Sequence, residues 1–177
     1  MDTEVIIAGA GPVGLLTAIL LDRAGVRVEV HELAAGPVAQ SRATTMHPRT
    51  LEVLTGIPTA DGSTVAAQLV ELGRPTSHAH FAALPQTLDY AGLDTPYPFV
   101  LMVAQARTEE VLARRLAAQG VLPHRESAVV GVEQHPDQVR VMLADGTVRT
   151  AAFLVGADGA HSTVRRAAGF EIGRAHV

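Results

Sequence analysis

The sequence predicts the α/β class: a doubly wound βαβ domain extended by an antiparallel β meander and interrupted by a small β layer. Three observations predict it. Residues 4–32 run as an apolar strand, a glycine-rich turn, an apolar helix and a second strand closed by an acid. Residues 129–155 break into alternating strands around an Asp-Gly turn. Between these stretches, residues 74–103 carry prolines at 75, 85, 96 and 98 and show no helical period.

The first unit follows from its residues one by one. Val5-Ile6-Ile7-Ala8 is a short apolar run of the kind buried in a parallel sheet. Gly9, Gly11 and Gly14 follow at GxGxxG spacing. Gly9 can take the tight turn, Gly11 removes the Cβ that would block a pyrophosphate, and Gly14 lets the new helix lie close to the strand. Pro12 suits the first helical turn, where a missing N–H costs nothing, and Val13 continues it. The free N–H groups and positive dipole end of that turn then face phosphates. Leu15, Leu16, Ala18, Ile19, Leu20 and Leu21 give an apolar helix pressed on a sheet, and Gly25 stops it. Val26, Val28 and Val30 form the second strand, and Glu32 closes it where a carboxylate can take both hydroxyls of an adenosine ribose, against a 2′-phosphate. The unit is Rossmann-like and predicts dinucleotide binding. It leaves NAD(P) and FAD both open, because the two share the same ADP half.

After Glu32 a Gly-Pro loop delivers Arg42 ahead of a helix-like segment at 49–54. A guanidinium there pairs with pyrophosphate or stands as a solvated charge, and position alone leaves both open. Residues 56–64 are breakers, and 65–72 suit one short helix ending at Gly73. In the proline-rich stretch, 78–81 and 99–103 suit strands. His78 and His80 share one face of the first, but no third metal ligand accompanies them, so ordinary surface or pocket histidines are expected. Thr108 is placed to cap a helix with Glu109 and Glu110 in its first turn, Val111, Leu112 and Leu116 as its buried stripe, and Gly120 as its stop. Strands at 129–133, 139–143 and 148–155 follow, with Asp145-Gly146 as a hairpin signal. The last runs into Asp158-Gly159 and a helix that Ser162 can cap. That arrangement is a second phosphate or ribose site, with Asp158 as acceptor and Gly159 permitting close backbone approach, or simply a capped turn.

Composition narrows the classes. Net charge −4 and pI ≈ 6.0 offer no electrostatic case for nucleic acid or an anionic membrane. Cysteine is absent, which excludes a disulfide framework and thiolate metal sites. A hydrophobic content of 47% supplies a core without any window long enough to span a bilayer, and the acid-bearing start is unlike a signal peptide, so the cytoplasm is expected. All basic residues are Arg, in an Ala-rich chain that suits a GC-rich bacterial genome.

Taken together, GAGPVG at 9–14, the acid at 32, Arg42 ahead of PRTLEVL at 48–54, QARTEEVL at 105–112 and GADGAHSTVRR at 156–166 resemble, in order and spacing, the FAD-dependent aromatic hydroxylases typified by p-hydroxybenzoate hydroxylase. YPFVLMVAQARTEE at 97–110 is most similar to the bacterial branch that acts on phenols and aromatic polyketides. The resemblance implies FAD as cofactor, NAD(P)H as co-substrate, and transfer of one oxygen of O₂ through a flavin hydroperoxide to an aromatic small molecule. It implies that Gly9, Gly11, Pro12, Val13 and Gly14 hold the pyrophosphate, Glu32 the adenosine ribose, Arg42 the pyrophosphate and flavin edge, and Gln105 the ribityl region, with Asp158 and Gly159 serving both dinucleotides. Residues 1–73 and 104–170 are then the FAD-binding domain, and 74–103 an incomplete inserted β segment of the substrate domain. The family carries a further Gly-Asp-Ala motif absent from these 177 residues. An N-terminal fragment is therefore expected, with 171–177 resembling a translated sequencing adaptor. Two other readings stand beside this one. An NAD-linked dehydrogenase would need a Tyr-Lys, Cys or His arrangement, yet Lys and Cys are absent. A non-catalytic dinucleotide-binding module needs nothing more than the first unit.

Overall fold

The computed structural model describes residues 1–36, 44–80 and 85–173. In chain order the elements are β1 (Thr3–Ala8), α1 (Pro12–Arg23), β2 (Val28–His31), β3 (Thr45–Met46), α2 (Pro48–Thr55), α3 (Val65–Leu72), β4 (Arg74–Thr76), β5 (His78–His80), β6 (Thr87–Asp89), β7 (Val100–Met102), α4 (Gln105–Ala117), β8 (Val129–Gln134), β9 (Val139–Leu143), β10 (Val148–Gly156) and α5 (Thr163–Ala167). The chain divides into two compact units, one of Met1–Pro37 with Leu116–Val177, the other Val38–Arg115.

The first unit is built on a five-stranded mixed sheet in the order β2-β1-β10-β9-β8. β1 pairs in parallel with both β2 and β10, while β10-β9 and β9-β8 are antiparallel, as the predicted meander requires. β1 lies between two strands and is apolar over nearly its whole length because both its faces are covered; Ile6 and Ile7 are fully buried. Ile6 joins Val139, Val141, Leu143 and Ala151 in one apolar cluster that welds the meander to the parallel strands. The Asp145-Gly146 turn closes as read, with Gly146 N–H on Leu143 O and Asp145 Oδ1 accepting from Thr147 N–H.

α1 buries Leu15, Ala18 and Ile19. It ends in a Schellman motif: Gly25, at φ +80°, donates to Asp22 O, and Val26 donates to Leu21 O. Val26 is thereby spent on the helix end, which is why β2 starts at Val28 and not at the first valine of the alternating run.

In the second unit β3-β7-β4 form one small antiparallel sheet and β5-β6 a separate hairpin. α2 and α3 bury Leu51, Leu54, Val65 and Leu69, and Thr64 caps α3 by accepting from Ala67 N–H at 3.1 Å. The expectation that Thr108 caps α4 is corrected. The helix begins at Gln105, Arg107 and Thr108 N–H both turn back to Ala104 O, and Thr108 is buried within the first turns. The helical turn was already made before the threonine, so its hydroxyl had no terminus to cap.

Candidate functional site

Parallel pairing decides where the site lies. Because β2, β1 and β10 run the same way with Ala8 opposite both His31 and Gly156, their carboxyl ends open onto one edge of the sheet. The chemistry-bearing turns follow those three ends: the glycine turn after β1, Glu32 after β2, and Asp158-Gly159 after β10. A crevice outside the carboxyl ends of parallel strands is where open α/β sheets bind ligands.

The three glycines have separate tasks. Gly9 sits at φ +102°, and a Cβ there would lie 2.3 Å from Ala157 O, so it must be glycine both for its backbone angle and for the turn packed against it. A Cβ on Gly14 would lie 1.9 Å from Gly9 O, which is how closely α1 approaches the strand end. At Gly11 a Cβ would meet nothing within 4 Å among the described residues, so none of them demands glycine there. Gly11 is the N-cap of α1, no side chain caps the helix, and Pro12 occupies its first turn. The first-turn N–H groups of a helix lack intrahelical partners, so this end presents donors and positive potential outward past an open backbone. Val13, in that turn, is exposed.

Glu32 reaches back across the edge. Its Oε2 accepts from Ala10 N–H in the glycine turn at 2.6 Å, and Oε1 accepts from Ala34 N–H at 2.9 Å. A carboxylate has about four acceptor sites, so lone pairs remain for two further hydroxyl donors beside the turn.

Asp158 faces the other way. Its carboxylate accepts from Ser162 Oγ, from Thr163 N–H at 2.7 Å and from Val164 N–H at 3.2 Å, while Ser162 Oγ accepts from Arg165 N–H at 2.9 Å. Both side chains are the cap of α5. Ala157 N–H donates to Ala8 O at 2.8 Å and holds the Asp158 turn against Gly9, and Gly159 takes φ +80°. Gln105 opens α4 in the second unit and donates to Glu109 Oε1 at 2.8 Å. Arg42 lies outside the described residues. Among the described residues no cluster of three or more metal-ligating side chains forms, and no helix is long and apolar enough to cross a membrane.

A buried polar cluster that sequence reasoning missed lies beside Glu32. His31 is 4% exposed; its Nδ1 lies 2.8 Å from Ser127 Oγ, its Nε2 lies 3.5 Å from Glu29 Oε2, and its ring stacks on His124 at 5.0 Å. Glu29 is held in turn by Arg149 through both Nε and Nη2. Burial pushes the Glu29 carboxyl up, but the Arg149 hydrogen bonds and charge outweigh it and leave Glu29 below the ordinary carboxylate value. Burial pulls His31 below its usual 6.5, opposed by Glu29 and assisted by the nearby His124 and Arg149. The folded chain therefore keeps His31 neutral where the unfolded chain binds a proton. Stability should fall as pH drops below about 6.5 and level off beneath the folded value. Urea unfolding at a series of pH values checks this, and His31→Gln should flatten the slope between pH 7 and 5.

Dinucleotide-binding α/β domain is the class to which this edge belongs: three parallel strand ends, an uncapped glycine turn, and an acid positioned over it. Comparison with known proteins makes the class specific. The chain belongs to the FAD binding domain family, which it matches over residues 2–176. It is 42% identical over 177 residues to the 6-methylpretetramide 4-monooxygenase of Streptomyces rimosus, covering 96% of this chain and 31% of that protein. It is 39% identical over 166 residues to a rifampicin monooxygenase of Streptomyces venezuelae, covering 94% of this chain and 34% of that protein. Among solved structures it is similar to the anhydrotetracycline hydroxylase OxyS from Streptomyces rimosus, with TM-score 0.88 and 37% identity over 98% of this chain and 35% of that one. The chain spans about a third of the length of these relatives.

Proposed function

We propose that this chain supplies the FAD-binding part of an NAD(P)H-dependent flavoprotein monooxygenase that uses O₂ to hydroxylate an aromatic substrate, phenolic or polyketide. The observation that carries the reading is the open backbone at Gly11 beneath an uncapped α1, with Glu32 beside it. None of the described residues needs glycine at that position; a pyrophosphate lying on the turn does.

In this reading Gly9 shapes the turn, the N–H groups around Gly11, Val13 and Gly14 donate to the pyrophosphate, and Pro12 starts the helix without wasting a donor. Glu32 accepts from the two ribose hydroxyls of the adenosine. Asp158 and Ser162 cap α5 and so hold Ala157 and Gly159 in place at the rim, where the backbone can approach a dinucleotide closely. Arg42 and Gln105 are assigned to the pyrophosphate–flavin edge and the ribityl chain by similarity to the aromatic hydroxylases. Residues 1–73 and 104–170 then make the FAD-binding domain and 74–103 the inserted substrate layer, in a cytoplasmic enzyme. Bound FAD supplies the electron and oxygen chemistry, while the protein binds, orients and excludes water.

The test is an incubation of the purified whole enzyme, of which this chain supplies the FAD-binding part and which this chain alone is not expected to replace in activity, with NADH or NADPH, a panel of phenols and aromatic polyketides, and ¹⁸O₂. Product carrying one ¹⁸O atom, seen by mass spectrometry together with nucleotide oxidation, is the expected result. Tight binding of NAD⁺ with no flavin retained would instead return the chain to the dehydrogenases.

A further inference from the structure

Glu32 can serve a ribose only if its carboxylate is held over the glycine turn, and the holding is done by a segment remote in sequence. Residues 124–127 run alongside the end of β2 as a short parallel bridge, His31 opposite His124. His124 N–H donates to Val30 O at 2.8 Å, Glu32 N–H donates to His124 O at 2.9 Å, and Ser127 N–H donates to Glu32 O at 2.9 Å. The main chain of Glu32 is thus gripped on both sides by one short segment. That segment is bent to fit: Glu126 takes φ +54°, a left-handed angle that costs a non-glycine residue energy and persists only where surrounding contacts enforce it. Two contacts of Ser127 flank this angle: its N–H donates to Glu32 O at 2.9 Å, and its Oγ lies 2.8 Å from His31 Nδ1, beside the stack of His31 on His124. With the proton assigned to Nε2, which lies 3.5 Å from Glu29 Oε2 without a hydrogen bond, Nδ1 is left to accept from the serine hydroxyl.

We propose that residues 124–127 form a positioning clamp for the Glu32 carboxylate, with His31 and Ser127 as positioning residues that set how well the domain recognises the adenosine ribose. His31 and Glu32 are consecutive, so their side chains leave the chain in different directions. The histidine is locked to the clamp while the acid turns to Ala10 N–H and the ligand side. Neither His31 nor Ser127 touches the nucleotide; they fix the residue that does. Outer groups that orient a ligand-binding side chain are generally felt in affinity even without contact.

The proposal rests on the assignment of Glu32 to the ribose, and the experiment separates the two. ADP and 2′,3′-dideoxy-ADP are titrated calorimetrically into the wild-type chain, Ser127→Ala and Ser127→Thr. The wild type should prefer ADP. Ser127→Ala should lose about tenfold in ADP affinity, the low end of what removing a group that orients a binding side chain costs, while dideoxy-ADP binding stays unchanged. Ser127→Thr keeps the hydroxyl and should restore the preference. Equal weakening of both nucleotides in Ser127→Ala would mean a general loosening of the domain and would overturn the clamp. So would an unchanged ADP affinity. A wild type that binds the two nucleotides equally would remove the ribose assignment of Glu32 itself, and the clamp with it.

Discussion

Gly11→Val is expected to abolish FAD binding while leaving the fold standing. Among the described residues a Cβ at residue 11 has no neighbour within 4 Å. The structural cost is confined to replacing glycine by a poorer N-cap residue, about 1 kcal/mol at most. The functional cost is different in kind. A branched side chain at the N-cap of α1 stands where a pyrophosphate must come within hydrogen-bond distance of the first-turn N–H groups. Losing two charge-assisted hydrogen bonds, at about 1.5–3 kcal/mol each, weakens binding by roughly a hundredfold or more. Circular dichroism should match the parent, and thermal unfolding of the two flavin-free proteins should agree within about 4 °C, while flavin no longer copurifies with the variant. Retained flavin in a folded Gly11→Val protein would mean that the cofactor does not lie on this turn.

Gly14→Ala should do the reverse and damage the fold. An alanine inside a helix ordinarily gains about 1 kcal/mol over glycine. Here its Cβ would lie 1.9 Å from Gly9 O, a backbone atom that no rotamer change can move aside. Either α1 lifts from β1 or the tight turn at Gly9 opens, and both disturb the buried set of Leu15, Ala18 and Ile19. Overpacking of this kind reaches or exceeds the upper end of the usual range of about 1–3 kcal/mol. For a chain of this size that corresponds to a fall in Tm of about 5–10 °C. Differential scanning calorimetry without flavin reads it directly, and an unchanged Tm would show that α1 does not pack as closely as the geometry requires.

Much of this site was legible in the sequence because its parts are local. GxGxxG states its own spacing, Gly25 ends a helix by the backbone angle it alone takes easily, and Ser162 caps α5 from the neighbouring position. The antiparallel meander followed from the alternating runs around Asp145-Gly146, whereas the parallel pairing of β10 with β1 joins segments far apart in sequence and was not read from it. Other features were hidden because they depend on distant partners. Residues 121–127 show neither alternation nor helical period, and their bridge to His31 joins positions far apart in sequence. Nothing local marks Ser127 as the partner of a histidine. Asp158 was legible as an acceptor, but whether a carboxylate before a helix faces a ligand or its own helix depends on rotamer, and here both oxygens turn to α5. Thr108 misled because capping residues also occur inside helices when buried, and the turn at Ala104 preceded it.

The strand-end edge of the first unit is expected to bind the ADP half of FAD. Titrating the chain with FAD while following the quenching of flavin fluorescence, then adding ADP, tests it most directly. Saturable one-to-one binding that ADP reverses competitively is expected, because both ligands occupy the glycine turn and Glu32. Saturable FAD binding that excess ADP leaves untouched, or no saturable binding at all, would contradict it.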